Sequence, residues 1–272
     1  MAFPAISVQL YSVYREIDKD LDGTLARLAE IGLKHVEAFD FVSRADALKK
    51  SFAAHGLTAP TGHAILIEEE VDTPDKLLSI PPVEETFAAA AALGLEVVID
   101  PYLAPARWAT ADSVKWGAER LNERAEQAAA FGLKVGYHNH DHEFRNVIDG
   151  RPAYELFVEN LEPSVKLEVD LYWASAAGID IVKLLPRLGE RVVAVHAKDG
   201  PMRDGISTAE LPTDQKPAGQ GGVRLAEAIA SAPAVKFAVI EYDHFEGDIF
   251  DGVQQSFQWL SEQAASTETV SA

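Results

Sequence analysis

The stretch Ala130-Phe-Gly-Leu-Lys-Val-Gly-Tyr-His-Asn-His140 indicates the fold of the whole chain. A helical pattern ends before Gly132, Leu133 follows, and an apolar strand then runs into His138 and His140. Glycine tolerates the left-handed backbone conformation that closes a helix, so a Gly-Leu pair in this setting marks a joint between a helix and a strand. Polar residues at the end of an apolar strand predict a functional site at one rim of a parallel sheet.

The same helix-to-strand joint recurs along the chain. Gly-Leu pairs begin at Gly32, Gly56, Gly94 and Gly132, after helical patterns over residues 20–31, 45–55, 83–93 and 112–131. Eight strand candidates alternate with such helices: Ile6–Tyr11, His35–Phe39, Ala59–His63, Glu96–Asp100, Lys134–His138, Val165–Asp170, Val192–His196 and Phe237–Glu241. This alternation predicts an α/β protein with a single (β/α)8 TIM barrel over residues 1–263 and a disordered tail over residues 264–272. An open Rossmann-like sheet is the alternative, but no Gly-x-Gly-x-x-Gly motif follows the first strand.

Composition limits the chemistry and the partners of the chain. The 272 residues contain no cysteine, so a metal ion would have to be bound by histidine and carboxylate side chains. The formal net charge of -19 argues against binding to a nucleic-acid backbone, which relies on Lys and Arg. No apolar stretch approaches the roughly 20 residues that span a bilayer. We therefore expect a cytoplasmic protein with no nucleic-acid partner and no membrane partner.

Two connections are longer than a barrel of this size requires. Residues 63–82 include an acidic run at Glu68-Glu69-Glu70, and residues 198–222 are rich in Gly, Pro and Asp. Loops of this length in a compact domain are more often lids or binding loops than passive connections. We expect both of them to border a ligand site.

Nearly every predicted strand ends in a titratable or hydrogen-bonding residue. A single residue of this kind is usually just hydrogen-bonded or solvated, but Asp170, His196 and Glu241 end three consecutive strands and should be neighbours at one rim. Isolated buried charges are too costly without a partner or a metal ion. The full set of strand-end residues is Gln9 with Tyr11, Glu37, His63, Asp100 with Tyr102, His138 with His140, Asp170, His196 with Lys198, and Glu241 with Asp243.

Five motifs, in order and spacing, resemble the xylose-isomerase-like sugar phosphate isomerase/epimerase family, including its inosose-dehydratase-like branch. The resemblance extends from Val8 to about Leu260. The motifs are Tyr137-His-Asn-His-Asp-His-Glu-Phe144, Glu168-Val-Asp-Leu-Tyr-Trp173, His196-Ala-Lys-Asp199, Gly219-Gln-Gly221 and Glu241-Tyr-Asp243.

The resemblance implies a barrel that holds one divalent metal ion, usually Mn, Co, Mg or Zn, through a Glu, Asp, His and Glu set. Asp170, His196 and Glu241 match the last three positions of that set. The first position is open between Glu143 and His138. We favour Glu143, because a hard, oxygen-preferring ion is served better by three carboxylates and one imidazole.

The implied function is that of a metal-dependent sugar isomerase or epimerase acting on a keto sugar through a metal-stabilised enediolate. His140 or Glu241 would take the proton from the carbon next to the carbonyl, and Lys198 would stabilise the negative charge that develops. His138 stands where ketose epimerases have one of their two proton-shuttling glutamates. The residues expected to contact the substrate are His63, Tyr11, Tyr102, Trp173 and Glu37.

A metal-dependent lyase, dehydratase or hydratase acting on an inosose or 3-keto sugar is the alternative function. His138 in place of a glutamate breaks the symmetric shuttle, and Trp173 stands where the epimerases carry a histidine, so elimination or hydration with a histidine base also fits. A DNA-repair endonuclease would need several zinc ions and a basic face, and a non-catalytic sugar-binding barrel would bind without metal.

The small-molecule substrate is expected to be an unphosphorylated sugar or cyclitol. Lys198, Arg107 and Arg145 are the basic residues close to predicted strand ends, and they do not form an evident phosphate pocket. Barrels of this kind commonly pair, so a homodimer is the assembly that we consider.

Overall fold

The eight predicted strands are present and form one parallel sheet. The computed structural model describes residues 3–72, 77–232 and 234–271. Within this part of the chain the strands are β1 (Ala5–Val8), β2 (His35–Ala38), β3 (Thr58–His63), β4 (Val97–Asp100), β5 (Lys134–His138), β6 (Lys166–Asp170), β7 (Val192–His196) and β8 (Phe237–Ile240). Their order is β1-β8-β7-β6-β5-β4-β3-β2, and every neighbouring pair is parallel.

The two ends of this sheet come together at Gln9 and Glu37. These residues form a parallel bridge, and Gln9 Nε2 donates a hydrogen bond to Glu37 Oε1 over 2.7 Å. Consecutive strands are linked through helices, so the sheet curves into a nearly closed barrel with the helices outside. The predicted (β/α)8 TIM barrel is therefore confirmed, and all eight strands direct their carboxyl ends to the same rim.

The helices of the described residues are α1 (Tyr14–Lys19), α2 (Leu21–Ile31), α3 (Ala45–His55), α4 (Val83–Leu93), α5 (Ala111–Ala129), α6 (His142–Arg145), α7 (Ala153–Asn160), α8 (Leu171–Ala176), α9 (Ile181–Leu188), α10 (Leu225–Ser231) and α11 (Ile249–Ser271). The four helices whose bounds were predicted, α2 to α5, begin and end within two residues of the predicted positions. Among the helices of the described residues, none is both long enough and apolar enough to cross a membrane.

The Gly-Leu joints close their helices as predicted. Gly56 has a φ of 66°, and the N–H of Leu57 donates to the carbonyl of Phe52 over 2.9 Å. This bond spans the last turn of α3, where the carbonyl of Phe52 also accepts the N–H of Gly56. Because Leu57 is buried, the same turn anchors the start of β3 in the core.

The two long connections both contain structure that reaches the strand ends. The first forms an antiparallel hairpin of Glu70–Asp72 with Leu77–Ser79, and residues 73–76 lie outside the described residues. The second follows β7 and carries short bridges, such as the one between Ser207 and Glu210.

The segment expected to be a disordered tail, residues 264–272, follows the barrel, and its disorder stays a prediction. Helix α11 is assigned to Ser271, and Ala272 lies outside the described residues. The hydroxyls of Ser266 and Thr267 donate to the carbonyls of Glu262 and Gln263, one turn earlier, over 2.8 and 2.9 Å. Such bonds back to the helix backbone stabilise a helix little, so the last turns of α11 gain little from them.

Asp100, at the end of β4, fixes the chain that follows β3. Its Oδ2 accepts hydrogen bonds from the N–H groups of Leu66 and Ile67, both over 2.9 Å, and its Oδ1 accepts one from Tyr102 over 2.8 Å. In Asp100→Asn, the amide NH2 would face at least one of these N–H donors in either orientation of the side chain. We expect this change to lower the free energy of unfolding by about 1–3 kcal/mol in urea titrations. Asp204→Asn, in an exposed loop, is the control, with an expected change within about 0.5 kcal/mol; equal stability of the two variants would contradict this role of Asp100.

Candidate active site and metal centre

Four buried side chains converge where strands β5 to β8 end. They are His138, Asp170, His196 and Glu241, and one ligand atom from each lies within 4.8 Å of the other three. His196 Nδ1 is 2.7 Å from Glu241 Oε2 and 3.9 Å from Asp170 Oδ2. The prediction that Asp170, His196 and Glu241 are neighbours at one rim therefore agrees with the geometry.

Asp170 has one oxygen engaged in the fold and one directed to its charged neighbours. Its Oδ1 accepts the N–H of Trp173 over 2.7 Å and so caps the amino terminus of α8. Its Oδ2 accepts no hydrogen bond of good geometry and lies 3.1 Å from Lys198 Nζ. Burial raises the pKa of Asp170 to about 6, because a buried carboxylate loses its hydration.

The donor atoms of this cluster fit a divalent cation. Two carboxylates and two imidazoles form a ligand set that manganese, cobalt and zinc accept. The cluster also contains a buried carboxylate oxygen, Asp170 Oδ2, whose hydrogen-bonding capacity is unused. These residues can therefore hold one ion.

Lys198 lies beside the cluster and is surrounded by carboxylates. Its Nζ is 2.7 Å from Glu241 Oε2 and 2.8 Å from Asp243 Oδ2, in addition to its contact with Asp170. Burial opposes the charged form, but Asp170 and Asp243 raise the pKa of Lys198 well above its usual value. The side chain is therefore an ammonium ion, which suits it to stabilise negative charge rather than to accept a proton.

A second layer of buried polar residues, Glu37, His63 and Glu168, supports the cluster. His196 Nε2 is 2.8 Å from Glu37 Oε1, and His138 Nδ1 is 3.0 Å from Glu168 Oε2. Glu37 and Glu168 each contact one ring nitrogen of a candidate ligand, so the other nitrogen of that ring is the one left for an ion. For His196, whose Nε2 contacts Glu37, the nitrogen that faces the cluster is Nδ1.

His63 joins the two carboxylates of this second layer. Its Nε2 is 2.7 Å from Glu168 Oε2 and 3.1 Å from Glu37 Oε1. Burial opposes protonation, but the two carboxylates raise the pKa of His63 to about 10. His63, Glu168, His138 and His196 also bring ligand atoms within 4.8 Å of one another, but here the Oε2 atom of Glu168 already contacts all three imidazoles. The Oε1 atom of Glu168 is buried without a hydrogen-bond partner.

Sequence reasoning assigned no role to Glu168, although the signal was available. Successive side chains of a strand point to opposite faces, so Glu168 must share a face with Asp170, two residues later. Glu168→Gln keeps the shape of the side chain but removes the negative charge that three imidazoles share at Oε2. Because partners of this kind typically contribute 10- to 100-fold to metal affinity, we expect a loss of about that size in manganese titrations of the folded variant. An unchanged dissociation constant would contradict the positioning role.

Glu143 lies outside both groups of converging ligand atoms. It belongs to α6, and its two oxygens accept hydrogen bonds from Tyr137 Oη over 3.0 Å and from the N–H of His140 over 2.9 Å. Burial raises the pKa of this carboxyl group. The group of converging ligand atoms thus includes His138 and not Glu143, the residue that we favoured as the first ligand. The reason is that the chain turns after β5 and directs Glu143 to hold the segment that carries His140.

A cavity of about 610 Å³, which we call the mouth cavity, opens at this rim. Several expected substrate contacts border it, namely His63, Tyr11 and Tyr102, together with His138, His140 and Glu241. Both long connections contribute to its wall. The full lining is Tyr11, Phe39, His63, Val71, Pro101, Tyr102, Pro105, His138, His140, His142, Thr208, Leu211, Glu241 and Asp243.

Two expected substrate contacts, Glu37 and Trp173, are buried away from this cavity wall. Glu37 is bonded to Gln9 and His196 in the second layer, so its place suits orientation of His196 rather than contact with a substrate. Trp173 is fully buried, and its ring lies 5.4 Å from Lys198 Nζ. It is therefore placed to pack beside the charged group and not to stack against a sugar ring.

His140 is the imidazole best placed to act on a molecule in the mouth cavity. Its ring centroid is 5.0 Å from that of His138 and 5.8 Å from that of His142. Burial, together with electrostatic repulsion from its neighbours, lowers the pKa of His140 to about 3. The ring is therefore neutral and has an unprotonated nitrogen, but with so low a pKa it is a weak base.

A (β/α)8 barrel with a buried polar site at the carboxyl ends of its strands has the arrangement of TIM-barrel enzymes. The chain belongs to the xylose isomerase-like TIM barrel family, whose family model matches residues 25–263. No curated protein matches the sequence.

Solved structures with the same fold include proteins of related description. A sugar phosphate isomerase/epimerase from Parabacteroides distasonis ATCC 8503 has a TM-score of 0.73 and 24% identity, covering 97% of this chain and 95% of that one. The probable 3-DHS dehydratase AsbF from Bacillus anthracis has a TM-score of 0.72 and 15% identity, with 94% and 98% covered. The IolI protein with a bound zinc atom has a TM-score of 0.70 and 14% identity, with 96% and 98% covered.

Proposed function

We propose that this protein is a divalent-metal-dependent isomerase or epimerase that acts on a keto sugar. The observation that carries the proposal is the convergence of His138, Asp170, His196 and Glu241 within 4.8 Å at the carboxyl ends of four consecutive strands. Membership of the xylose isomerase-like family supports the reaction class, and the neighbour described as a sugar phosphate isomerase/epimerase supports sugar chemistry.

His138, Asp170, His196 and Glu241 would hold the ion. When bound, a divalent ion acts as a Lewis acid on a carbonyl oxygen and so makes the adjacent C–H group more acidic. His140 borders the cavity and takes the proton from that carbon with a ring nitrogen. The ammonium group of Lys198 does not line the mouth cavity and is paired with Asp170, Glu241 and Asp243, so its part is to balance the negative charge of the cluster that would hold the ion.

The charge of the cavity wall favours an unphosphorylated sugar or a cyclitol. The described residues that line the mouth cavity include Glu241 and Asp243 but neither lysine nor arginine. Lys198 is the nearest buried cation to these acids, and it is already in contact with three carboxylates. A phosphate group would therefore meet negative charge with no available cation to pair with.

A lyase that eliminates or adds water is the second candidate, and His138 is the observation that favours it. His138 belongs to the converging ligand atoms, so His140 is left as the candidate base on one side of the cavity wall. The symmetric proton shuttle of ketose epimerases instead requires a glutamate on each face of the substrate. Elimination needs a base on one face and an acid for the leaving group. The neighbour described as a probable dehydratase is consistent with this reading.

Incubation with candidate substrates in deuterated buffer tests both functions. The manganese-loaded protein is mixed with keto sugars and inososes, and the products are followed by NMR and mass spectrometry, with chelator-treated protein as the control. We expect metal-dependent incorporation of deuterium at the carbon next to the carbonyl. An isomerase or epimerase keeps the composition of the substrate, whereas a lyase changes it by water or a leaving group. Equal exchange with chelated protein would refute the metal-dependent mechanism.

A further inference from the structure

The wall of the mouth cavity is divided into a polar part and an apolar part. The polar part surrounds the proposed reaction centre and consists of side chains such as His138, His140 and Glu241. The apolar part, which we call the apolar rim, consists of Phe39, Val71, Pro101, Pro105 and Leu211. A sugar ring with its hydroxyl groups matches the polar part and leaves the apolar rim without a partner.

Separate segments of the chain deliver the apolar rim to the same opening. Phe39 follows β2, Pro101 and Pro105 follow β4, Val71 belongs to the hairpin after β3, and Leu211 belongs to the long segment after β7. Leu211 is 46% exposed, one of the few large apolar side chains among the described residues with such exposure. Exposed apolar groups gathered at a cavity mouth usually mark a ligand contact.

Aromatic side chains border the rim where it meets the polar part. The rings of Tyr11 and Phe39 are 5.2 Å apart and nearly perpendicular, and Tyr102 lines the same cavity. Such rings bind flat apolar groups by stacking or by edge-to-face contact. The volume of about 610 Å³ falls within the range of cavities that hold ligands larger than one ring.

From these observations, and resting on the proposed function, we infer that the substrate is a keto sugar whose ketone lies away from the anomeric carbon and whose anomeric carbon carries an uncharged aromatic substituent, as in an aryl glycoside. The sugar ring lies against the polar part, with its carbonyl toward His138 and Glu241. The aromatic group lies against the apolar rim and covers Leu211. The rim thus selects glycosides over free sugars and over sugar phosphates.

A comparison of three ligand types tests the inference. For a keto sugar that undergoes metal-dependent deuterium exchange and whose ketone is not its anomeric carbon, kcat/KM is measured for the free sugar, its phenyl glycoside and its phosphate ester with the manganese-loaded protein. We expect the phenyl glycoside to exceed the free sugar by at least about tenfold, which corresponds to about 1.4 kcal/mol. Phenyl glucoside and glucose, which have no ketone, should show the same preference in calorimetric titrations.

A matched pair of variants locates the effect. Leu211→Ser should reduce the preference for the phenyl glycoside over the free sugar by about threefold or more. Val147→Ser changes a side chain that is 63% exposed in a different hairpin, and this variant should keep the preference of the parent protein. A preference that both variants retain in full would overturn the role of the rim.

The outcomes separate this inference from the proposed function. Exchange with the free sugar that equals or exceeds exchange with the phenyl glycoside overturns the inference and leaves the proposed function standing. A preference for the phosphate ester also overturns the inference. Absence of metal-dependent exchange with every keto sugar refutes the proposed function, and in that case equal calorimetric affinity for glucose and phenyl glucoside would refute the inference separately.

Discussion

Asp170→Asn should abolish metal binding and reduce activity by at least about 10³-fold while the fold survives. The amide removes a charged ligand from the cluster, and Lewis-acid assistance is worth several kcal/mol, with each 1.4 kcal/mol corresponding to tenfold in rate. Asparagine caps a helix as well as aspartate does, so the bond from the N–H of Trp173 can be kept. Elemental analysis, circular dichroism and deuterium exchange measure metal content, fold and activity on one preparation.

Glu143→Gln is the matched control for this experiment. It neutralises another fully buried carboxylate, at 0% exposure, which contacts Tyr137 and His140 instead of the cluster. We expect Glu143→Gln to keep its metal, whereas His138→Ala should lose more than about 100-fold in affinity, beyond the usual effect of a residue that only orients a ligand. Metal loss in Glu143→Gln with retention in His138→Ala would restore Glu143 as the first ligand. Full activity of metal-free Asp170→Asn would end the proposed mechanism.

His140→Gln should slow deuterium exchange by about 10²- to 10⁴-fold, the usual contribution of a general base. Glutamine retains a polar side chain of similar length but cannot accept the proton. Because His140 lies outside the group of converging ligand atoms, metal content should stay at the level of the parent protein. We expect kcat to fall much more than KM changes, since the lost interaction belongs to the transition state.

His35→Gln provides the comparison for His140→Gln. His35 begins β2 at the opposite end of the barrel, where its Nδ1 is 2.8 Å from Thr58 Oγ1. This variant should exchange deuterium at the rate of the parent protein. If His140→Gln also exchanged deuterium at the parent rate, another group would have to take the proton. Asp243, on the same cavity wall, would then be the next residue to substitute.

The barrel was predictable because its signals are local. Strands β5 and β7 have the bounds that the sequence predicts, Lys134–His138 and Val192–His196, since doubly covered strands are short and apolar and begin soon after a helix closes. The exception is the first strand, predicted over residues 6–11. It ends at Val8, because the side chain of Gln9 accepts the N–H of Tyr11 and turns the chain into a short 3₁₀ helix.

The arrangement of the site depended on contacts that sequence spacing does not specify. Glu143 and His138 are five residues apart, and the choice between them depends on a turn that pairs Glu143 with Tyr137. Glu37 is buried because it lies where the two ends of the sheet meet, beside Gln9. This contact joins residues that are distant in the chain. Trp173 follows Asp170 by three residues, but the helix that Asp170 caps directs the ring into the core.

The ammonium group of Lys198 has a consequence for the protein before it binds an ion. Buried acids that faced one another without a cation would oppose folding, but Lys198 already accompanies Asp170 and Glu241. The charge of the cluster is therefore partly compensated without a metal ion. On the proposed function, the supply of metal would then govern activity more than stability.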